Sequence, residues 1–258
     1  MIMSSNDAVP PVEPQSRFAG TLLDVLDKVE YARIQPEDVN DPVYKLRYEA
    51  YRRENFLPYN SEEVYTDPLD LSPNAYTFGV FIEGRLVSSI RIHHITPDCR
   101  ISPSLGVYED ILGPMLDQGM TFTDPTRFTA DHEASLAYPA LPYLTLRLGL
   151  MASEHFSVDY CLQSVRPEHA PFYRRIFLSQ PMGPERTYGQ LSFPIVMVGS
   201  HVPETLPRIL RRFPFFLSTR EEREALFAGP GRVSFGHKVA ATAKLEQKLR
   251  REQALAAE

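Results

Sequence analysis

Two apolar runs facing each other across a glycine-bearing turn constrain this chain more than any other feature. Tyr76 to Ile82 (YTFGVFI) and Leu86 to His94 (LVSSIRIHH) flank Glu83-Gly84-Arg85. Short β-prone runs around such a turn predict a β-hairpin. The fold must therefore contain an antiparallel pair in its first half. Further strands are expected at Val29 to Ile34, at Met120 to Thr129 (MTFTDPTRFT), at Asp159 to Val165 and at Leu191 to Val198. Pro125 inside the run from Met120 to Thr129 predicts an edge or a bulge, because proline cannot donate to a ladder.

The helices have their own signals. Asp41-Pro42 reads as an N-cap followed by proline at the first helical position, opening VYKLRYEAYRREN. Tyr108 to Leu116 reads as a short helix. Pro139 to Phe156 reads as a strong one, with Leu144, Leu148 and Met151 at helical spacing, and Pro167 to Phe177 as another short one. The order is strand, helix, loop, three strands, helix, strand, helix, strand. Antiparallel strands come early and βαβ units late, which implies an α/β domain with a mixed central sheet and helices on both faces.

Residues 1–20 read as a disordered lead-in rich in Pro, Ser and Asn, residues 21–218 as the domain, and residues 219–258 as a charged, Ala-rich helical extension. No run of about 18 apolar residues is present, so no transmembrane segment is expected. The formal net charge of -6, without a Lys/Arg block, argues against nucleic acid as the partner. The two cysteines, Cys99 and Cys161, read as reduced thiols and predict a cytoplasmic setting. His93 and His94 are adjacent on a strand and point to opposite faces, so no metal site is expected.

One polar set recurs around the expected strands: Arg47, Asp67, Asp70, Arg91, Asp124 and Arg127. Three acids and three arginines make a nearly neutral buried network. Such a network either fixes a catalytic geometry or stitches a loop to a sheet, and spacing alone favours the stitch.

This set, in this order, resembles the acyl-homoserine-lactone (autoinducer) synthases and the related long-chain N-acyl amino acid synthases. The helix LRYEAYRRENF matches the family's first helix through Arg47 and Tyr51. TDPLD matches its paired acids through Asp67 and Asp70, and SSIRI its strand-ending arginine through Arg91. Asp124-Pro125-Thr126-Arg127-Phe128 stands where the family has Glu-x-Ser-Arg-Phe, and PFYRRIF resembles a segment common late in such folds. The resemblance spans Val29 to Val198. It implies a GNAT-like, mostly antiparallel sheet and transfer of a fatty acyl group from a thioester to an amine.

The resemblance also implies roles. Asp124 is expected to take the proton from the attacking amine, with Arg127 and Thr126 beside it. Arg47, Tyr51, Asp67, Asp70, Arg91 and Phe128 would bind substrate or hold the ion network. Asp124 is one methylene shorter than the family's Glu, so a bridging water is expected. The chain has no Trp, which with the shorter acid points towards the N-acyl amino acid synthase branch. FTADHEASLAYPALPYLTLR has no glycine where acetyl-CoA enzymes of this fold carry a pyrophosphate loop. That favours acyl-carrier protein over acyl-CoA as donor, with no other cofactor. Arg147, Arg174, Arg175 and Arg186 are the expected docking surface for the acidic carrier. A CoA-dependent N-acyltransferase and an inactive carrier- or lipid-binding relative are the alternatives.

Overall fold

In a computed structural model, described for residues 17–187, 193–229 and 231–256, eight strands form one sheet in the order β6-β7-β5-β4-β3-β2-β1-β8. The described residues open with a helix that the sequence did not signal, α1 (Arg17–Leu26), and continue into β1 (Val29–Arg33) and α2 (Pro42–Arg53). The Asp41 carboxylate accepts the Val43 N–H, and Pro42 fills a position that needs no donor, so α2 starts where expected. A 3-10 turn, Pro68–Leu71, precedes β2 (Ala75–Ile82) and β3 (Arg85–Ile95). Glu83 (φ 50°) and Gly84 (φ 83°) both take left-handed backbone, the two-residue hairpin turn that matches strand twist.

The long connection after the hairpin is α3 (Pro103–Asp117), a much longer helix than expected. Ser102 caps it by accepting the Leu105 N–H, and Pro103 occupies its first position. Then come β4 (Phe122–Ala130), α4 (His132–Ala137), α5 (Leu141–Phe156) and β5 (Tyr160–Val165). A 3-10 turn (Pro167–His169), α6 (Ala170–Ile176), β6 (Gln180–Thr187) and β7 (Pro194–His201) complete the second half of the sheet. The expected last strand began at Leu191; residues 191 and 192 lie outside the described residues, as do residues 1–16 of the expected lead-in.

β4 is not an edge strand. It pairs antiparallel with β3 and parallel with β5, but the parallel ladder covers only Phe122–Tyr160 and Thr123–Cys161. From Asp124 onward the two strands part. Pro125 therefore sits where β4 has lost its β5 partner, which explains how a proline enters a central strand. The expected bulge is present two residues later. Ser89 faces Thr129 and Arg91 faces Thr126, so Ile90 alone spans Arg127 and Phe128. Gly149 lets α5 lie against the strand there: a Cβ at that position would meet Pro125 Cγ at 3.1 Å.

Side chains alternate across the sheet. Ile90 and Ile92 join α1 and α5 in the main core, with Leu144, Leu148 and Met151 fully packed. Ile95 and Phe122 pack with α3 in a second core on the other face. His93 and His94 do point apart: His93 contacts the Leu69 carbonyl, and His94 stacks on Phe156.

The segment after residue 218 is not a separate extension. α7 (Val202–Arg212) and a 3-10 turn (Pro214–Phe216) lead into α8 (Arg220–Phe227), β8 (Lys238–Ala240) and α9 (Ala243–Ala256). β8 pairs with β1 and completes the sheet. Leu226 and Phe227 enter the core, and Lys244 on α9 binds Asp24 of α1 and Asp27 just after it at 2.9 and 2.6 Å. The charge pattern hid these contacts because the buried residues are few and widely spaced.

Candidate active site

Five of the six polar residues form one network on the α2 face of the sheet. Arg47 donates to both oxygens of Asp70 at 3.0 and 2.8 Å. Arg91 Nη1 bridges Asp67 at 2.7 Å and Asp70 at 2.9 Å. Arg127 Nε reaches Asp67 Oδ2 at 2.9 Å, and its Nη1 donates to Tyr51 Oη at 3.1 Å. Asp67 and Asp70 also hold the 3-10 turn: Asp67 accepts the Leu69 N–H, and Asp70 accepts the Asp67 N–H. The two acids three apart are thus both ion-pair partners and caps. Burial would raise the Asp67 carboxyl, but Arg91 and Arg127 outweigh it and hold it down to about 2.

Arg127 has an unusual backbone, φ 52°, at the bulge. Left-handed backbone is costly for a side-chain-bearing residue, and such strain clusters at functional sites. Here it turns the guanidinium out of the strand's alternation, towards Tyr51 and Tyr65, whose rings lie 5.5 and 5.1 Å away. Burial works against its charge, but Tyr51, Tyr65 and Asp67 raise its pKa, so it stays cationic.

The parting of β4 and β5 opens a cleft of about 540 Å³. Its walls are Pro103, Pro125, Phe128, Pro142, Leu146, Val165, Phe172, Tyr173, Phe193 and Ile195. Tyr51, Ser104, Thr126, Arg127, Ser164, Arg166 and His169 supply the polar surface. A smaller void continues inward past Leu146, Gly149 and Leu150 to Phe177. A mostly apolar cleft with a few convergent polar groups is the usual form of a small-molecule site. From α5 it is Pro142 and Leu146 that face it. Leu144, Leu148 and Met151 belong to the core instead.

A family model described as N-acyl amino acid synthase FeeM matches residues 42–201. The chain belongs to this family. Among solved structures, FeeM itself, an N-acyl amino acid synthase from uncultured soil microbes, shares 20% identity and a TM-score of 0.57, covering 71% of this chain and 96% of that chain. Two CoA-dependent acyl-homoserine lactone synthases share the fold. MesI is 14% identical, with a TM-score of 0.52 over 71% of this chain and 94% of that chain. BjaI, solved with SAM and isopentyl-CoA, is 13% identical, with a TM-score of 0.52 over 84% and 98%. Comparison with curated proteins gives no match. The fold is thus the GNAT-type α/β arrangement, and the protein is an acyltransferase.

Asp124 stands apart from the other five polar residues. It is fully buried and does not line the cleft. Nor does it bond to the arginines. Its Oδ2 accepts the Ser104 N–H at 3.0 Å, and its Oδ1 accepts the Ser104 hydroxyl at 2.7 Å. Burial pushes the carboxyl up, while the bonds from Ser104 and Ser102 pull the other way. Ser104 lies between Asp124 and the cleft. Sequence reasoning missed it, although Ser102-Pro103 is a readable helix start that places Ser104 in the first turn of α3. Thr126, Arg127 and Phe128 do line the cleft, with the Thr126 hydroxyl 3.4 Å from the Arg91 carbonyl.

The expected docking arginines divide. Arg147 is fully buried on α5, where both Nη groups bind Glu222 of α8, so it cannot meet a partner. Arg186 is bound bidentate by Asp110 at 2.6 and 2.8 Å and also donates to the Val107 carbonyl. Arg174 and Arg175 are exposed on α6, the helix whose Phe172 and Tyr173 line the cleft. Cys161 is buried with its thiol pushed up by that burial, so it is a poor nucleophile. Among the described residues no cluster of His, Cys, Asp or Glu is suited to a metal, and no helix is long and apolar enough to cross a membrane.

Proposed function

We propose that this chain transfers a fatty acyl group from an acyl-carrier-protein thioester to the amine of an amino acid or a similar acceptor. The observation that carries this reading is the apolar cleft between the parted strands, with cationic Arg127 on its wall. The cleft takes the acyl chain. Arg127 pairs with the acceptor carboxylate. The amine attacks the thioester carbonyl, the thiol leaves, and Asp124 is the base that receives the amine proton. Two free thiols fit a cytoplasmic setting.

The start of α5 favours a carrier protein over CoA. A helix N-terminus binds pyrophosphate through unpaired N–H groups. Here the Leu141 N–H is bound to the Tyr138 carbonyl, residue 142 is proline, and the Tyr143 and Leu144 N–H groups go to the Ala140 carbonyl. A CoA pyrophosphate finds no free donor there. Arg174 and Arg175, exposed beside the cleft, suit an acidic carrier. CoA remains the second donor to test, since two enzymes of the same fold are CoA-dependent.

The test is mass spectrometry of lipid extracts from bacteria overexpressing the chain, beside an Asp124→Asn control. New N-acylated amino acids in the wild type alone are expected. Purified protein should then use acyl-carrier thioester with the higher kcat/KM, and Arg174→Glu with Arg175→Glu should raise KM for the carrier alone. Folded protein that makes no N-acyl product from either donor would overturn the proposal.

A further inference from the structure

We propose that Ser104 and Ser164 form a hydroxyl relay that carries the amine proton across the cleft to Asp124. It rests on the acyl-transfer reading above and specifies how a base sealed from the substrate acts.

The hydrogen-bond inventory sets the direction. An ionised carboxylate only accepts, so the Ser104 hydroxyl, 2.7 Å from Asp124 Oδ1, must donate to it. Ser104 then has no second proton to give. Its oxygen lies 2.7 Å from the Ser164 hydroxyl, so Ser164 donates in turn. Ser164 keeps an oxygen lone pair for the cleft, which both serines line. The three groups come from three elements. Asp124 is on β4, Ser104 on α3 and Ser164 on β5, so the chain bridges the two strands where they part.

The proton count closes. The substrate ammonium gives one proton to Ser164 Oγ as the Ser164 proton moves to Ser104 and the Ser104 proton to Asp124. The free amine forms the C–N bond. When the tetrahedral intermediate collapses, the C–S bond breaks and the thiolate takes the second nitrogen proton. Asp124 returns its proton along the same path after the products leave. Burial raises the Asp124 carboxyl, which makes it a better acceptor. The charged and titratable groups around it are Arg91 and His93 on β3 and Cys161 on β5. Burial and Arg91 keep His93 neutral, at about 3, and burial raises the Cys161 thiol, so neither competes for the proton at neutral pH.

The competing role for Ser104 is structural: its backbone N–H ties α3 to Asp124, and alanine preserves that bond. The experiment measures steady-state acyl transfer over a pH range for wild type, Ser104→Ala, Ser164→Ala, the double variant and Ser104→Thr, with thermal melts of each. Wild-type turnover is established first. Each single alanine variant should lose about 10²-fold in kcat at neutral pH with KM for the thioester unchanged. The double variant should lose no more than either single one, because a chain broken once is already broken. The deficit should shrink as pH rises and free amine forms in solution. Ser104→Thr, which keeps the hydroxyl, should recover most of the rate. Wild-type kcat and pH profile in a folded Ser104→Ala or Ser164→Ala protein would overturn the relay and leave acyl transfer standing. Absence of wild-type turnover would overturn both.

Discussion

Two buried arginine systems lie on opposite faces of the same sheet, and they are built differently. Behind α5, Arg147 meets Glu222 in a closed pair: both Nη groups bind the carboxylate, one also binds the Leu217 carbonyl, and Thr242 donates to Glu222. On the α2 face, Arg47, Arg91 and Arg127 share Asp67 and Asp70, leaving one positive charge in excess. Nε and Nη2 of both Arg47 and Arg91 lack a protein partner, against Nε alone in Arg147. The first system is a clasp that holds the last part of the chain to the core. The second is open towards the cleft through Arg127, so its surplus charge faces a cavity. Burial and pairing alone do not separate structure from function here. What separates them is whether the network ends inside the protein or at a cavity.

The largest effect should come from Asp70→Ala, which deprives two fully buried guanidinium groups of a partner. A loss of about 3–5 kcal/mol by chemical denaturation is expected, together with loss of activity. Glu222→Ala should cost a similar about 3–5 kcal/mol, because Arg147 is left charged and buried. Yet the folded fraction should keep the wild-type kcat. If it lost activity in proportion to Asp70→Ala, the contrast between clasp and site would collapse.

Arg127→Gly sharpens the contrast from the other side. Glycine takes φ 52° freely, so relief of about 1 kcal/mol offsets part of the lost ion pair, and stability should change little. Acyl transfer should fall about 10²-fold, read as kcat/KM for the amino acid acceptor.

A further effect is absent at neutral pH and accumulates gradually as pH falls. His93 is buried neutral, its pKa lowered by burial and by Arg91 from 6.5 to about 3. Below about pH 6.5 the unfolded chain binds a proton that the folded chain refuses. Stability should therefore fall as pH drops from about 6.5 towards 3, by up to about 1.4 kcal/mol per pH unit. Asp67, held at about 2, adds to the loss in the same direction between its ordinary 3.8 and about 2. His93→Gln should flatten the upper part of this slope in urea melts at a series of pH values. The smallest effect is expected for Arg147→Met combined with Glu222→Leu, which replaces the closed pair by apolar volume and should stay within about 1 kcal/mol of wild type.

Much of this contrast was legible in the sequence on one face and illegible on the other. Asp41-Pro42, the Glu83-Gly84 turn and the order of Arg47, Asp67, Asp70, Arg91 and Arg127 gave the α2 face almost completely. Their signals are local caps, turns and charges, or a resemblance carried by short segments. Arg147 reads as a surface charge because its partner, Glu222, lies 75 residues away within a run of charged residues. The bulge was announced by Pro125 but sits at Arg127, since register depends on the partner strand. β8 is three residues long and carries too little alternation to read. Ser104 was masked by a connection in which only the cap of α3 was informative, and nothing local links it to Asp124 or Ser164.

The covering of β1 by β8, at one end of the sheet, bears on how the protein comes into being. Tyr31 and Arg147 are made early, but the carboxylate and the strand that cover them belong to residues 219–243. A nascent chain that has released everything up to α7 still exposes a cation and the five-residue edge of β1, where the finished sheet ends in the three-residue β8. Such edges recruit other chains. A chain cut before residue 219 is therefore expected to aggregate more readily than the full one.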